Sequence, residues 1–88
     1  MNTTLNKPIA VYKRLLIVDD HQPLARMLSW AFENLGYHMI TAADCRAARR
    51  MARLSHPSHA LIDYRLPDGN GLILARDCRR SCPTCKSY

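Results

Sequence analysis

Apolar positions along the chain alternate between two kinds of pattern. "RLLIVDD" holds four apolar residues in a row, Leu15 to Val18, and then turns abruptly to two carboxylates, Asp19 and Asp20. Such an unbroken run predicts a strand buried on both faces. In "HQPLARMLSWAFENLGY" the apolar residues Leu24, Met27, Leu28, Ala31, Phe32 and Leu35 recur at steps of three, one, three, one and three, the spacing of an amphipathic helix. Pro23 suits its first turn, and Gly36 suits a left-handed residue just past its end. "YHMITA" reads as a second, shorter strand. Asp44 can then cap a second helix, "CRAARRMARL", with Cys45, Ala48, Met51 and Ala52 on its apolar side. After the break at "HPS", "HALID" is a third strand, apolar until it ends in Asp63. A loop, "YRLPDGNG", leads into a third helix, "GLILARDCRR", in which Leu72, Leu74, Ala75 and Cys78 are available for burial and which Pro83 ends.

Strand, helix, strand, helix, strand, helix with short connections is the pattern of a parallel sheet covered on both faces, whose ligands bind outside the carboxyl ends of the strands. Asp19 and Asp20 end the first strand and Asp63 ends the third. If those strands lie side by side, three carboxylates meet at one edge, where their repulsion calls for a compensating cation. Mg²⁺ suits such an oxygen-only site, and a metal beside an outward-facing carboxylate suits phosphoryl transfer with Asp63 as the nucleophile.

These motifs together resemble the receiver domain of two-component response regulators. "LLIVDDHQP" and "HALIDYRLPDGNGL", joined by helix, strand and helix, carry the resemblance, which runs from about Arg14 to the end. It implies a flavodoxin-like α/β fold with helices on both faces of a parallel sheet, with a tail over residues 1–13 and a partial receiver domain over 14–88. It also implies that Asp63 is the phosphoacceptor of a sensor histidine kinase. Asp19, Asp20, Asp63 and the backbone carbonyl of Arg65 would then hold Mg²⁺, and Pro67 and Gly71 would shape the loop. The domain would be the substrate of a kinase rather than an enzyme with turnover of its own. "LPDGNGL" looks like the redox-responsive regulators that carry a helix-turn-helix output domain, so any contact with DNA would be made by a domain outside this chain. Receiver domains have about five strands, and only three strands and three helices are legible here, with the chain stopping at "CKSY" where a fourth strand would begin. The Ser or Thr of strand four and the Lys of strand five are therefore missing. A sheet cut there would leave its third strand as a raw edge, which predicts a fragment that is unstable alone or that pairs with another copy or another receiver. Arg49 stands where the family places an aliphatic residue, which predicts weakened packing of the second helix.

Composition adds bounds. At 88 residues the chain is one domain at most. "MNTTLNKPIAVYKR" lacks the features of a secretory signal and no apolar run is long enough for a membrane, which predicts a cytoplasmic protein with free thiols. Cys78, Cys82 and Cys85 have the C-x₃-C-x₂-C spacing of an iron–sulfur site, but Cys78 falls on a core position of the third helix, so neither a cluster nor zinc is expected. His21 reads as a solvent-facing residue at a helix start, and Trp30 falls off the apolar stripe of the first helix, where a partner could dock. The net charge is +6, and Arg46, Arg49, Arg50 and Arg53 with Arg76, Arg79 and Arg80 put seven arginines on two helices. A solvated basic face explains them most simply. A non-phosphorylatable fragment acting by protein–protein contact and a basic nucleic-acid-binding module stand as the alternative functions.

Overall fold

The computed structural model describes residues 13–81 and 86–87; the tail up to residue 12, Cys82, Pro83 and Cys85 lie outside the described residues. Strand β1 (Arg14–Val18) is followed by helix α1 (Gln22–Asn34), β2 (His38–Ala42), α2 (Cys45–Ser55) and β3 (His59–Ile62). Next come two short strands, β4 (Arg65–Leu66) and β5 (Gly69–Asn70), then α3 (Gly71–Ser81) and β6 (Lys86–Ser87). The main sheet has the order β2-β1-β3-β6, and all its pairs are parallel.

The apolar run of β1 is buried on both faces, as its sequence demands. Leu16 and Val18 pack with Ile40, Ala48, Ala52, Leu74 and Cys78 under α2 and α3. Leu15 and Ile17 pack on the other face with Ala25, Leu28 and Phe32 of α1. Burying each large side chain contributes about 1.5–3 kcal/mol, so this one strand anchors both layers.

The buried seam of α1 runs through Ala25, Leu28 and Phe32, one position away from part of the expected stripe. Met27 and Leu35 are 61% and 68% exposed, and Ala31 is exposed as well. The six apolar candidates form a stripe wider than the sheet can cover, and the small Ala25 lets the helix approach closely. On α3 the covered positions are Gly71, Leu74, Ala75 and Cys78, whereas Leu72, expected inside, is 67% exposed. Gly36 takes φ +94° just past α1, and His56 takes φ 48° at the end of α2.

Three further features differ from the sequence reading. The loop after β3 contains a hairpin, with β4 and β5 antiparallel across the Pro67–Asp68 turn. Lys86 and Ser87 form a fourth strand that pairs with His59 and Ala60, so the first half of β3 is not an edge. Arg49, which the sequence leaves without an evident partner, is paired across to α3: its Nη2 lies 3.0 Å from Asp77 Oδ2, and its Nε donates to the same oxygen at 3.2 Å. The arginine thus ties α2 to α3 through an ion pair.

Candidate functional site

Backbone ladders deliver the acidic residues. Val18 and Ile62 are partners across β1 and β3, so the residues that follow them leave the sheet side by side. The ladder continues one step further, with Asp19 N donating to Ala42 O at 3.1 Å and Asp63 N to Val18 O at 2.8 Å. Both carboxylates therefore hang from backbone that is still part of the sheet. They stand between β1 and β3, where the strand order reverses direction, which is the ligand crevice of this kind of sheet.

One oxygen from each of Asp19, Asp20 and Asp63 lies within 4.8 Å of the others. Asp19 and Asp63 are half-buried and Asp20 is exposed. Asp19 Oδ1 accepts the His21 amide at 2.8 Å, and its carbonyl accepts Gln22 Nε2 at 3.2 Å, so Asp19 is oriented by the start of α1. Among the described residues, no hydrogen bond or ion pair reaches the side chains of Asp20 and Asp63. Repulsion at this range costs roughly 1–3 kcal/mol per pair between surface and part-buried dielectric limits. Three carboxylates meeting in this way, two of them without a hydrogen-bond or ion-pair partner among the described residues, fit a hard divalent cation. His21 is exposed and its side chain makes no capping bond, as the sequence suggested.

The segment after Asp63 is fixed at its base by Gly71. Its amide donates to Tyr64 O at 2.8 Å, and a β-carbon there would collide with the Asp63 carbonyl and stand 3.0 Å from Tyr64 Cα. Pro67 occupies the hairpin turn, and Arg65, in β4, pairs with Asn70. Sequence reasoning missed Asp68, the other turn residue. Its carboxylate accepts the amides of Cys45 at 2.7 Å and Arg46 at 3.0 Å, at the start of α2. Those bonds, that of the Cys45 amide first, hold its carboxyl below the usual range. Burial, helped by Asp68, pushes the Cys45 thiol up. The Pro-Asp-Gly turn was the available signal, but its partner lies 23 residues earlier in the chain.

The remaining candidates stand apart from this cluster. Cys45 and Cys78 are buried and outside any disulfide, whereas the full three-cysteine spacing falls partly outside the described residues. Trp30 is 69% exposed on α1. Arg46, Arg50, Arg53, Arg76, Arg79 and Arg80 are exposed on α2 and α3, and Arg53, Arg79 and Arg80 sit in the last turns of those helices. No described helix is long and apolar enough to cross a membrane.

Comparison with known proteins places this arrangement. Residues 15–87 match the family described as the response regulator receiver domain. The chain is 35% identical over 74 residues to the photosynthetic apparatus regulatory protein RegA of Cereibacter sphaeroides, covering 84% of this chain and 40% of that protein. It is 36% identical over 70 residues to the phosphate regulon transcriptional regulatory protein PhoB of Pseudomonas aeruginosa, covering 80% of this chain and 31% of the relative. The chain thus spans well under half the length of these two relatives. The crystal structure of the response regulator TrrA of Thermotoga maritima, in complex with Mg²⁺ and BeF, superposes with a TM-score of 0.78 at 25% identity, covering 85% of this chain and 65% of that one. Because the family match begins inside β1 and ends within β6, it takes in all three helices and the strands that frame them, and the chain belongs to the response regulator receiver domain family of two-component signalling.

Proposed function

We propose that the chain accepts a phosphoryl group on Asp63 from a sensor histidine kinase, with Mg²⁺ held by Asp19, Asp20, Asp63 and the Arg65 carbonyl. The observation that carries this reading is the meeting of three carboxylates within 4.8 Å at the carboxyl ends of β1 and β3. The likeness to a regulator crystallised with Mg²⁺ and BeF supports it. When bound, Mg²⁺ would offset the charge that gathers as an anionic donor meets an acidic site.

The chain's own residues do the rest. Asp63 presents an oxygen with no competing hydrogen bond among the described residues, on backbone held by Val18. That oxygen attacks phosphorus in line; an O–P bond forms, the N–P bond of the donor phosphohistidine breaks, and its electron pair returns to the imidazole. Asp19, fixed by the His21 amide, keeps its second oxygen available, and exposed Asp20 opens the site to solvent. Pro67 and Gly71 shape the loop that carries the Arg65 carbonyl. The domain is a phosphate acceptor and not a catalyst with turnover, and it works in the cytoplasm. Its output runs through pairing with another receiver, or through DNA contacts made by a separate output domain.

Intact-mass spectrometry after incubation with a small-molecule phosphodonor tests the proposal. A single phosphoryl adduct is expected that needs both Mg²⁺ and Asp63. A folded sample with no adduct, or an adduct that persists in Asp63→Asn, would sink it.

A further inference from the structure

Two carboxylates, one local and one distant, share the start of α2. Asp44, the residue before the helix, accepts the Ala47 amide at 2.8 Å, and Ala48 N makes the first bond back to the Asp44 carbonyl at 3.0 Å. One such cap is what a helix start ordinarily has. Asp68 takes the two amides that remain, those of Cys45 and Arg46, one on each oxygen. A second carboxylate exceeds what capping requires, and its geometric effect is to fasten the hairpin tip to α2. The hairpin is also seated on the helix by packing, since a β-carbon on Gly69 would stand 3.0 Å from Cys45 Sγ.

The segment 64–71 is thus pinned twice, by Gly71 N on Tyr64 O at its base and by Asp68 at its tip. Arg65 lies between the pins. The tie also closes a circuit around the acidic cluster. Asp68 is bonded to α2, α2 follows directly from β2, and the last residue of β2, Ala42, accepts the Asp19 amide. Val18, next to Asp19, accepts the amide of Asp63, from which the hairpin departs.

We infer that Asp68 is a positioning residue for the metal site, acting through the hairpin to hold the Arg65 carbonyl where it can serve as the protein's neutral oxygen ligand. The inference rests on the Mg²⁺ site proposed above. Without the tie, the loop would have to be ordered at the expense of metal binding, and losing a partner that orients a ligand typically weakens a metal site by about 10- to 100-fold.

The test is Mg²⁺ titration by calorimetry on the unmodified chain, Asp68→Ala, Asp68→Asn and Asp44→Ala, with hydrogen exchange read at the Cys45 and Arg46 amides. Asp68→Ala should weaken Mg²⁺ binding about tenfold and expose both amides. Asp68→Asn, which keeps one acceptor oxygen, should weaken it about threefold. Asp44→Ala removes the local cap without freeing the hairpin, so it should lower stability while leaving Mg²⁺ affinity within about twofold. Equal affinity in the unmodified chain and Asp68→Ala, or an equal loss in Asp44→Ala, would overturn the positioning role. If Asp68→Ala does not fold, unchanged affinity in Asp68→Asn overturns it instead. An unmodified chain that is folded but takes up no Mg²⁺ overturns the metal site and this inference together, whereas unchanged binding in Asp68→Ala leaves the metal site standing.

Discussion

The carbonyl oxygen of Asp63 occupies the space that a β-carbon on Gly71 would need. The contact is with backbone, so no side-chain rotation relieves it; either α3 shifts or Asp63 leaves its place on the β1–β3 ladder. Gly71→Ala should therefore cost about 2–4 kcal/mol in urea unfolding and weaken Mg²⁺ binding as well. Gly36→Ala is the comparison. Gly36 has φ +94° with open space around it, so alanine there should cost about 1–2 kcal/mol and leave the metal site alone. Equal effects of the two substitutions on Mg²⁺ affinity would contradict the close approach.

Asp68 sets a pH dependence. Its carboxyl is held below the usual range in the folded chain, foremost by the Cys45 amide, so the folded state binds its proton less readily than the unfolded state does. The stability it contributes is full above the unfolded value of about 4 and is lost as pH falls through the lower folded value. Urea midpoints should thus separate the unmodified chain from Asp68→Asn at pH 7, with the gap narrowing below about pH 4. A gap that stays constant down to pH 2 would show that charge on Asp68 plays no part.

Arg49 and Asp77 should couple weakly. Their side chains are 41% and 31% exposed, so solvent screens the pair. A double-mutant cycle with Arg49→Ala and Asp77→Ala should give about 0.2–1 kcal/mol, smaller in 0.5 M salt. A coupling of several kcal/mol would mean that the seam between α2 and α3 is drier than its exposure implies.

Met27 and Trp30 lie on the outer side of α1, away from the seam that packs on the sheet. Trp30→Ala should change stability by no more than about 0.5 kcal/mol and leave phosphorylation by a small donor unchanged. Transfer from a histidine kinase should slow if this surface is where the donor protein docks. An unchanged kinase rate would remove Trp30 from the docking surface.

Strands β1, β2 and β3 and the acidic cluster were legible because they rest on contiguous signals. Leu15 to Val18 form an unbroken apolar run that only a doubly covered strand satisfies, and the carboxylates follow at once. The choice among Leu24, Ala25, Met27 and Leu28 on α1 was not legible, since it depends on how closely the helix meets the sheet. Asp68 reads locally as a turn residue, and its bond to α2 exists only once β2 and β3 have been assembled on either side of β1. Arg49 reads as out of place in the sequence because its partner sits on another helix. Lys86 and Ser87 offer no apolar run, so their pairing with β3 follows from position and not from pattern.

The helices run opposite to the strands, so Arg53, Arg79 and Arg80 in the last turns of α2 and α3 face away from the end that carries Asp19, Asp20 and Asp63. Among the described residues, these arginines and the acidic cluster thus set charge of opposite sign towards the two ends of the sheet. In solution an anion is drawn first to the arginine pole, and encounters at the acidic pole grow more frequent as cations neutralise it. The phosphoryl group proposed for Asp63 would deepen that polarity, turning a chemical mark at one end into a change in how the particle orients in the field of a charged neighbour.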